Sequence, residues 1–241
     1  MIAFQTLPDD HPDLALSPLL RGACLILNYA AEHGGIGLTA TKAFKRDFVR
    51  WAVENFEWPG KSAEEMFRYQ SVINEADFPP VDMLHFLLIR LRLGRHYKGM
   101  FRVTSEGKDL AAHPGLLFKR LISFFVLNID HAAYSRLGEG VFGNWDVWLN
   151  VMNVEIEDGT SEDNLFSCFY GEAETGNDRR WREVHAFGAC VLKPLEWSGL
   201  ITAQELRDQD NKLEYIVTKT ALWCSGLKLE TDDLVQPMTR H

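Results

Sequence analysis

The stretch LLIRLRLGRHYKGMFRVTSEGKDL, residues 87–110, carries the clearest fold pattern in the chain. Apolar residues at helical spacing predict a helix over residues 82–93, capped by Asp82 and ended by Gly94. The dipeptide Lys98-Gly99 is typical of a tight turn between two strands. The pattern therefore predicts a helix followed by a small β-hairpin.

The same order of elements occurs again over residues 191–222. In the first copy a returning strand over residues 100–103 leads to Thr104 or Ser105, which caps a short helix. In the second copy the returning strand ends in Val-Thr as well, and Thr218 is the expected helix cap. The two copies agree in the order of their elements rather than residue by residue.

Helix starts and breaks organise the rest of the chain. Ser17 followed by Pro18 is a favourable N-cap and first helical position. A second helix is predicted from Thr39 or Thr41 to about Phe56. Apolar and aromatic residues between positions 116 and 148 predict a further helical region.

Two sets of segments resemble known families. GLTATKAFKRDFVRW, LLIRLRLG and MFRVTSEGKDL resemble the order of strand, Thr-capped helix, helix and hairpin in bacterial winged-helix proteins. LFKRLISFFVLNIDHAAY and CVLKPLEWSGLI, with YIVTKTAL, are similar to C-terminal segments of uncharacterised plasmid-borne and chromosomal bacterial open reading frames. The resemblance covers about residues 17–225. It implies a fold and transfers no activity.

The resemblance and the patterns together predict a mainly α protein with small β-hairpins. Two winged-helix-like segments are joined by an aromatic-rich helical region. The expected organisation has four parts: an extended N-terminal arm (1–16), a winged-helix-like domain (17–113), a helical region ending in a second winged-helix-like segment (114–230), and a loose tail (231–241).

The charge of the chain is unevenly distributed. The net charge is −9, yet residues 36–120 carry 14 Lys or Arg against 10 Asp or Glu, and residues 121–241 carry 10 against 20. Nucleic-acid contact is therefore expected only of the first half. The longest apolar run, Leu121 to Leu127, is too short to span a bilayer. No signal peptide is recognisable, and the four scattered cysteines are typical of reduced core residues, which favours a cytoplasmic protein.

Common catalytic and cofactor motifs fail at identifiable positions. Gly60-Lys61-Ser62 ends like a phosphate-binding loop, but Asn55 stands where that loop needs a glycine. The histidines form no HExxH motif, and no Cys/His pair has the spacing of a zinc site. We therefore expect no catalytic centre, no metal and no cofactor.

Basic residues form the one functional pattern above background. The first group shares one face of the helix predicted from Thr39 or Thr41, and the second runs from the predicted recognition helix into the hairpin. Two interpretations remain open: contact with duplex DNA, or a solvated face that pairs with the acidic segment 139–178. The candidate residues are Lys42, Lys45, Arg46 and Arg50, then Arg92, Arg95, Lys98 and Arg102.

Two classes of function follow. The first is a DNA-associated accessory or regulatory factor, although the mostly apolar helix MLHFLLIRLRL suits burial better than base reading. The alternative is a protein-interaction module or homodimer built on winged-helix-like folds without DNA binding. The aromatic stretch 118–148 and the acidic segment 155–178 motivate that alternative.

Overall fold

The computed structural model describes residues 2–135, 138–172, 180–207 and 213–235. The chain is mainly helical with small antiparallel sheets, which confirms that part of the expected fold class. The helices are α1 (Pro18–Glu32), α2 (Arg46–Asn55), α3 (Ala63–Tyr69), α4 (Pro79–Arg90), α5 (Ser105–Ala111), α6 (Pro114–Asn128), α7 (Trp145–Glu155), α8 (Glu162–Tyr170), α9 (Arg180–Phe187), α10 (Lys193–Ser198) and α11 (Ala221–Gly226). The strands are β1 (Ala3–Phe4), β2 (Ile36–Gly37), β3 (Gly94–Tyr97), β4 (Met100–Val103), β5 (Thr160–Ser161), β6 (Ile201–Arg207), β7 (Leu213–Lys219) and β8 (Leu227–Lys228).

The chain divides into an N-terminal unit, residues 7–122, and a C-terminal unit, residues 1–6 with 123–241. The first residues belong to the C-terminal unit because β1 pairs antiparallel with β8. The segment expected as an extended arm thus holds a strand, and a 3-10 helix follows at Pro12–Leu16. Its apolar residues Phe4, Leu7 and Leu14 are buried, which explains why it is held in place.

Both units have the same order of elements. Each has a helix, a short strand, further helices, a two-stranded hairpin and a short helix. Each three-stranded sheet places the returning hairpin strand in the centre, in the order β2-β4-β3 in one unit and β5-β7-β6 in the other. The repeated order that the sequence suggests is therefore present in the structure.

Helix α1 begins as expected. The Ser17 side chain accepts a hydrogen bond from the backbone N–H of Leu20, and Pro18 occupies the first turn. The buried face of α1 contacts α4, α5 and β4, and forms the core of the N-terminal unit. Gly22 lies on this face, where an added Cβ would meet the Leu84 side chain at 2.6 Å.

The predicted start of the second helix is wrong. Residues 39–43 form a tight turn, and α2 begins only at Arg46. The Thr39 hydroxyl accepts a hydrogen bond from the N–H of Ala43, and Lys42 has a left-handed φ of 68°. The threonine thus stabilises a turn locally instead of capping a helix.

Two predicted helix caps also shift. Helix α4 begins at Pro79, three residues before the expected cap Asp82, because two prolines suit the first turn. It ends at Arg90, before Gly94. The last short helix is preceded by Thr220, since Thr218 still lies within strand β7.

The two units end their pre-hairpin helices in the same way. Leu93 N–H donates to the Leu88 carbonyl, and Leu200 N–H donates to the Leu195 carbonyl, each at 2.9 Å. This six-to-one bond requires a left-handed residue just before it. That residue is Arg92, with φ 60°, in one unit and Gly199, with φ 78°, in the other.

The threonines behind the hairpins are also equivalent. The Thr104 hydroxyl donates to the carbonyls of Arg92 and Leu93, at 2.9 and 3.1 Å. The Thr220 hydroxyl donates to the carbonyls of Gly199 and Leu200, at 2.6 and 3.2 Å. Each threonine therefore closes the base of its hairpin, and Thr220, not Thr218, corresponds to Thr104.

Substitutions at the two left-handed positions should have opposite signs. Arg92→Gly is expected to raise the free energy of unfolding by about 0.5–1 kcal/mol, because a side chain at positive φ is strained. Gly199→Ala is expected to lower it by about 1–2 kcal/mol. Urea unfolding of the full chain measures both, and the same sign for both variants would contradict the equivalence.

The sequence predicts a helix from Trp181 to Trp197 that is kinked or ended near Pro194. In the structure a π-helical turn, Gly188–Leu192, separates α9 from α10 just before that proline. The sequence also predicts a polar loop from Glu172 to Arg180, most of which lies outside the described residues, as do residues 208–212 and the end of the predicted tail. The tail residues up to Leu234 form a 3-10 helix.

Two further predictions concern the state of the cysteines and the absence of a membrane-spanning helix. No disulfide links the four cysteines, all of which lie in the described ranges, but Cys168 and Cys224 are exposed instead of in the core. Within the described part of the chain, no single helix is long and apolar enough to cross a membrane. Helices α5 and α6 reach that length and composition only together, across a bend of 112°.

Candidate nucleic-acid interface

The hairpin β3–β4 is built from local sequence. Lys98 and Gly99 both have left-handed φ angles, 49° and 72°, which match a two-residue turn between twisted strands. Alternation along the strands then divides the side chains between two faces. Phe101 is fully buried on the inner face, opposite His96.

The outer face of this hairpin carries cations around an aromatic ring. The charged groups of Arg95, Lys98 and Arg102 lie 5.6, 5.3 and 5.6 Å from the ring centroid of Tyr97. Tyr97 as a residue remains 44% exposed. Cation–π attraction thus holds three positive groups on one small surface, which we call the hairpin surface: Arg95, Tyr97, Lys98 and Arg102.

Two cations of the hairpin surface face each other directly. Arg95 and Arg102 are cross-strand partners, and like charges at this position destabilise a sheet. Between described residues of the N-terminal unit, no carboxylate forms an ion pair with either arginine or with Lys98. Among those residues, the three positive charges are therefore not neutralised by an ion pair.

Lys42 lies near the hairpin, although not by the predicted route. Its turn is joined to the hairpin because Leu38 N–H donates to the Gly99 carbonyl at 2.9 Å. Its positive charge acts on His96 of strand β3. The turn therefore places Lys42 among the basic residues of the hairpin region.

The other predicted contacts do not join the hairpin surface. Arg46 donates to the Asn74 side chain at 2.9 Å, and Arg50 forms an ion pair with Glu54 on its own helix. The shared helical face predicted for Lys42, Lys45 and Arg46 is wrong, because residues 39–45 are not helical. Arg92 is exposed just after α4. Its left-handed backbone ends the helix, and its carbonyl accepts a hydrogen bond from the Thr104 hydroxyl.

Lys45 and Arg46 line a shallow cleft of about 560 Å³. The Lys45 stem packs over Gly37, where an added Cβ would lie 2.9 Å from its Cδ. Asp47 and Glu75 line the same cleft. Because two carboxylates face two cations there, the cleft is less suited to an anion than the hairpin surface.

A buried network beneath the hairpin was not predicted from the sequence. The Glu75 carboxylate is 4% exposed and accepts hydrogen bonds from His85 Nδ1 at 2.6 Å and from the N–H of Phe44 at 2.8 Å. His85 Nε2 lies 2.8 Å from His96 Nε2, and the His85 ring stacks on Phe44. The network therefore links helix α4 to the inner face of β3.

Only one of the two facing nitrogens can donate. Because His85 Nδ1–H donates to Glu75, a neutral His85 must accept at Nε2 from His96 Nε2–H; a protonated His85 donates instead. Desolvation lowers the pKa of His96, and the charges of His85 and Lys42 lower it further, against the effect of Glu75. Protonation of both His85 and His96 at once is thus disfavoured, since it would place two N–H groups face to face.

Asp82 lies near the same network. Desolvation raises the pKa of its carboxyl, and the negative charge of Glu75 adds to this effect, while His85 opposes it. Across the described residues, no three His, Cys, Asp or Glu side chains converge in an arrangement that could hold a metal ion. The network therefore joins the hairpin to helix α4 through hydrogen bonds.

Tyr97 is the residue of the hairpin surface that charge counting missed. Tyr97 lies two residues after Arg95 on strand β3, so that both side chains share one face of the strand. This spacing could have identified Tyr97 from the sequence. No local pattern marks Glu75, His85 and His96 as partners, because the three residues belong to separate elements.

These features define a mainly helical chain of two similarly organised units, one of which carries an exposed basic hairpin. The chain belongs to the Y4jL family: residues 15–116 match the Y4jL N-terminal domain and residues 135–221 match the y4jL C-terminal domain. It is 37% identical over 159 residues to "Uncharacterized protein y4jL" of Sinorhizobium fredii (strain NBRC 101917 / NGR234), covering 65% of this chain and 71% of the relative. The expected resemblance to an uncharacterised bacterial family is confirmed. No solved structure matches the chain.

Proposed function

We propose that this protein is a DNA-associated accessory or regulatory factor that contacts nucleic-acid phosphates through the hairpin surface. The observation that carries the proposal is the directly opposed pair Arg95 and Arg102, held with Lys98 around the exposed Tyr97 ring. Opposed like charges lower the stability of the hairpin, and such a cost is expected at a site where the binding of a partner offsets it. Lysine and arginine side chains are the usual partners of phosphate oxygens.

The fold supports the same proposal. We infer that each unit is winged-helix-like, since both share a helix, short strand, helices and hairpin, with the returning strand in the centre of the sheet. In winged-helix proteins the wing contacts phosphates. The hairpin surface occupies the position of the wing in the N-terminal unit.

Salt-dependent binding is the first expected result. A fluorescently labelled DNA should bind the full chain with an affinity that falls steeply between 50 and 200 mM salt, because phosphate contacts release counterions. A triple variant, Arg95→Gln with Lys98→Gln and Arg102→Gln, should lose about tenfold to hundredfold in affinity. Its log-log salt slope should fall by about 3.

A matched variant separates the hairpin from net charge. Arg50→Gln, Arg68→Gln and Lys108→Gln together remove the same charge from α2, α3 and α5 and should change affinity by less than about threefold. The hairpin variant should keep its free energy of unfolding within about 1 kcal/mol of the unchanged chain, because relief of the opposed like charges offsets the lost cation–π contacts. Absence of any complex at low salt, or equal losses in both variants, would overturn the proposal.

The alternative proposal, a protein-interaction module or homodimer, has one supporting observation. Phe142 is 93% exposed and Trp181 is 59% exposed, both in the C-terminal unit. However, Phe118, Phe125 and Trp148 of the aromatic stretch are core residues and cannot form an interface. Light scattering tests the homodimer: a monomer mass at about 100 µM would oppose it.

A further inference from the structure

The helix that would read bases in a winged-helix protein is poorly suited to that role here. In α4 most side chains are buried, including those of Met83, Leu84, Leu87 and Leu88. Its exposed stripe follows the helical repeat through Asp82, Phe86 and Arg90. An acid, an aromatic ring and one arginine give little capacity to bind the edges of paired bases in a groove, where phosphates approach on both sides.

The hairpin surface has a different set of groups. Tyr97 is 44% exposed and lies on a two-stranded face whose other exposed side chains are cations. An aromatic side chain amid positive charge is the arrangement by which proteins bind single strands: unpaired bases stack on the ring and cations neutralise the phosphates. In a duplex the bases are already stacked, so that the ring would have no base to contact.

We propose that the hairpin surface binds single-stranded nucleic acid in preference to duplex, with one unpaired base stacked on Tyr97. This inference rests on the proposed function, because it needs the same cations. Arg95 and Arg102 bind the phosphates on either side of the stacked nucleotide, and Lys98 extends the positive surface to the turn. The two-residue turn and the buried Phe101 fix the backbone of the hairpin before binding, and the cations move from the Tyr97 ring to the phosphates when a base stacks there.

The test compares three probes of equal length that differ in base content and in strandedness. The probes are a labelled 12-nucleotide oligothymidine, an abasic strand of the same length and a blunt 12-base-pair duplex, each titrated with the full chain at one salt concentration. Oligothymidine should bind about 5- to 150-fold more tightly than the abasic strand, as base–aromatic stacking implies. It should also bind more tightly than the duplex.

Two substitutions at position 97 isolate the ring. Tyr97→Leu should lower the affinity for oligothymidine about 5- to 150-fold and leave the affinity for the abasic strand within about twofold. Tyr97→Phe keeps the ring and should bind oligothymidine within about threefold of the unchanged chain. Because the side chain is exposed, circular dichroism should show all three chains equally folded.

The possible results separate this inference from the proposed function. Equal binding of oligothymidine, abasic strand and duplex, unaffected by Tyr97→Leu, would overturn the stacking inference and leave phosphate binding in place. Tighter binding of the duplex would also overturn it. No binding of any probe at low salt would overturn both.

Discussion

Glu75→Ala is expected to lower the free energy of unfolding by about 2–6 kcal/mol, because each buried donor left without an acceptor costs about 1–3 kcal/mol. The carboxylate accepts hydrogen bonds from His85 Nδ1 and from the backbone of Phe44. Without it, both donors stay buried without an acceptor. Since a domain is commonly stable by only about 5–15 kcal/mol, this single loss is large.

Two further variants make the result specific. Glu75→Gln keeps an acceptor for the Phe44 N–H and should cost less than Glu75→Ala. Glu64→Ala removes an exposed carboxylate that pairs with Arg68 four residues on, and should cost no more than about 0.5 kcal/mol. Urea unfolding of the full chain measures all three. Equal small losses for Glu75→Ala and Glu64→Ala would show that the network does not stabilise the fold.

Acid should destabilise the C-terminal unit through His131. The side chain is 8% exposed, and its Nε2–H donates to the Phe125 carbonyl at 2.9 Å. Burial lowers the pKa of His131 from 6.5 to about 4, against the hydrogen bonds that raise it. The unfolded chain therefore takes up a proton at higher pH than the folded chain does. The contribution to stability is complete above about pH 6.5 and is lost as the pH falls to about 4.

The expected loss is about 3 kcal/mol, at about 1.4 kcal/mol for each pKa unit. His131→Gln removes the titrating side chain at position 131. This variant should show a smaller fall in the free energy of unfolding between pH 7 and pH 4.5 than the unchanged chain. The exposed His185→Gln serves as the control and should keep the full dependence. Identical pH profiles for the unchanged chain and His131→Gln would contradict the assignment.

Much of the fold follows from local sequence chemistry. The Ser17 cap, the turn at Lys98-Gly99 and the strand before Thr104 were all predicted, because each depends on residues within a few positions of one another. The predicted start of the second helix, at Thr39 or Thr41, was wrong because local and distant contacts favour a turn there. The Thr39 hydroxyl bonds within the turn, and the Phe44 N–H bonds to Glu75, 31 residues away.

The candidate site was predicted only in part. Arg95, Lys98 and Arg102 lie together because one hairpin carries them, whereas Arg46 and Arg50 bind partners of their own. The hydrogen-bond network of Glu75, His85 and His96 could not be predicted, since these residues meet only after α4 and the hairpin have packed together. Likewise, Thr220 could be identified as the counterpart of Thr104 only from its hydrogen bonds, because the repeated Val-Thr pair in the sequence points to Thr218 instead.

The most direct test of nucleic-acid binding through the hairpin surface is photo-cross-linking. A single-stranded oligonucleotide that contains 4-thiothymidine is irradiated with the full chain at low salt, and the cross-linked peptides are identified by mass spectrometry. Cross-links are expected at Tyr97 and its neighbours between residues 94 and 103, and they should be lost in Tyr97→Leu. Cross-links confined to other surfaces, such as the α2 peptide, would contradict it.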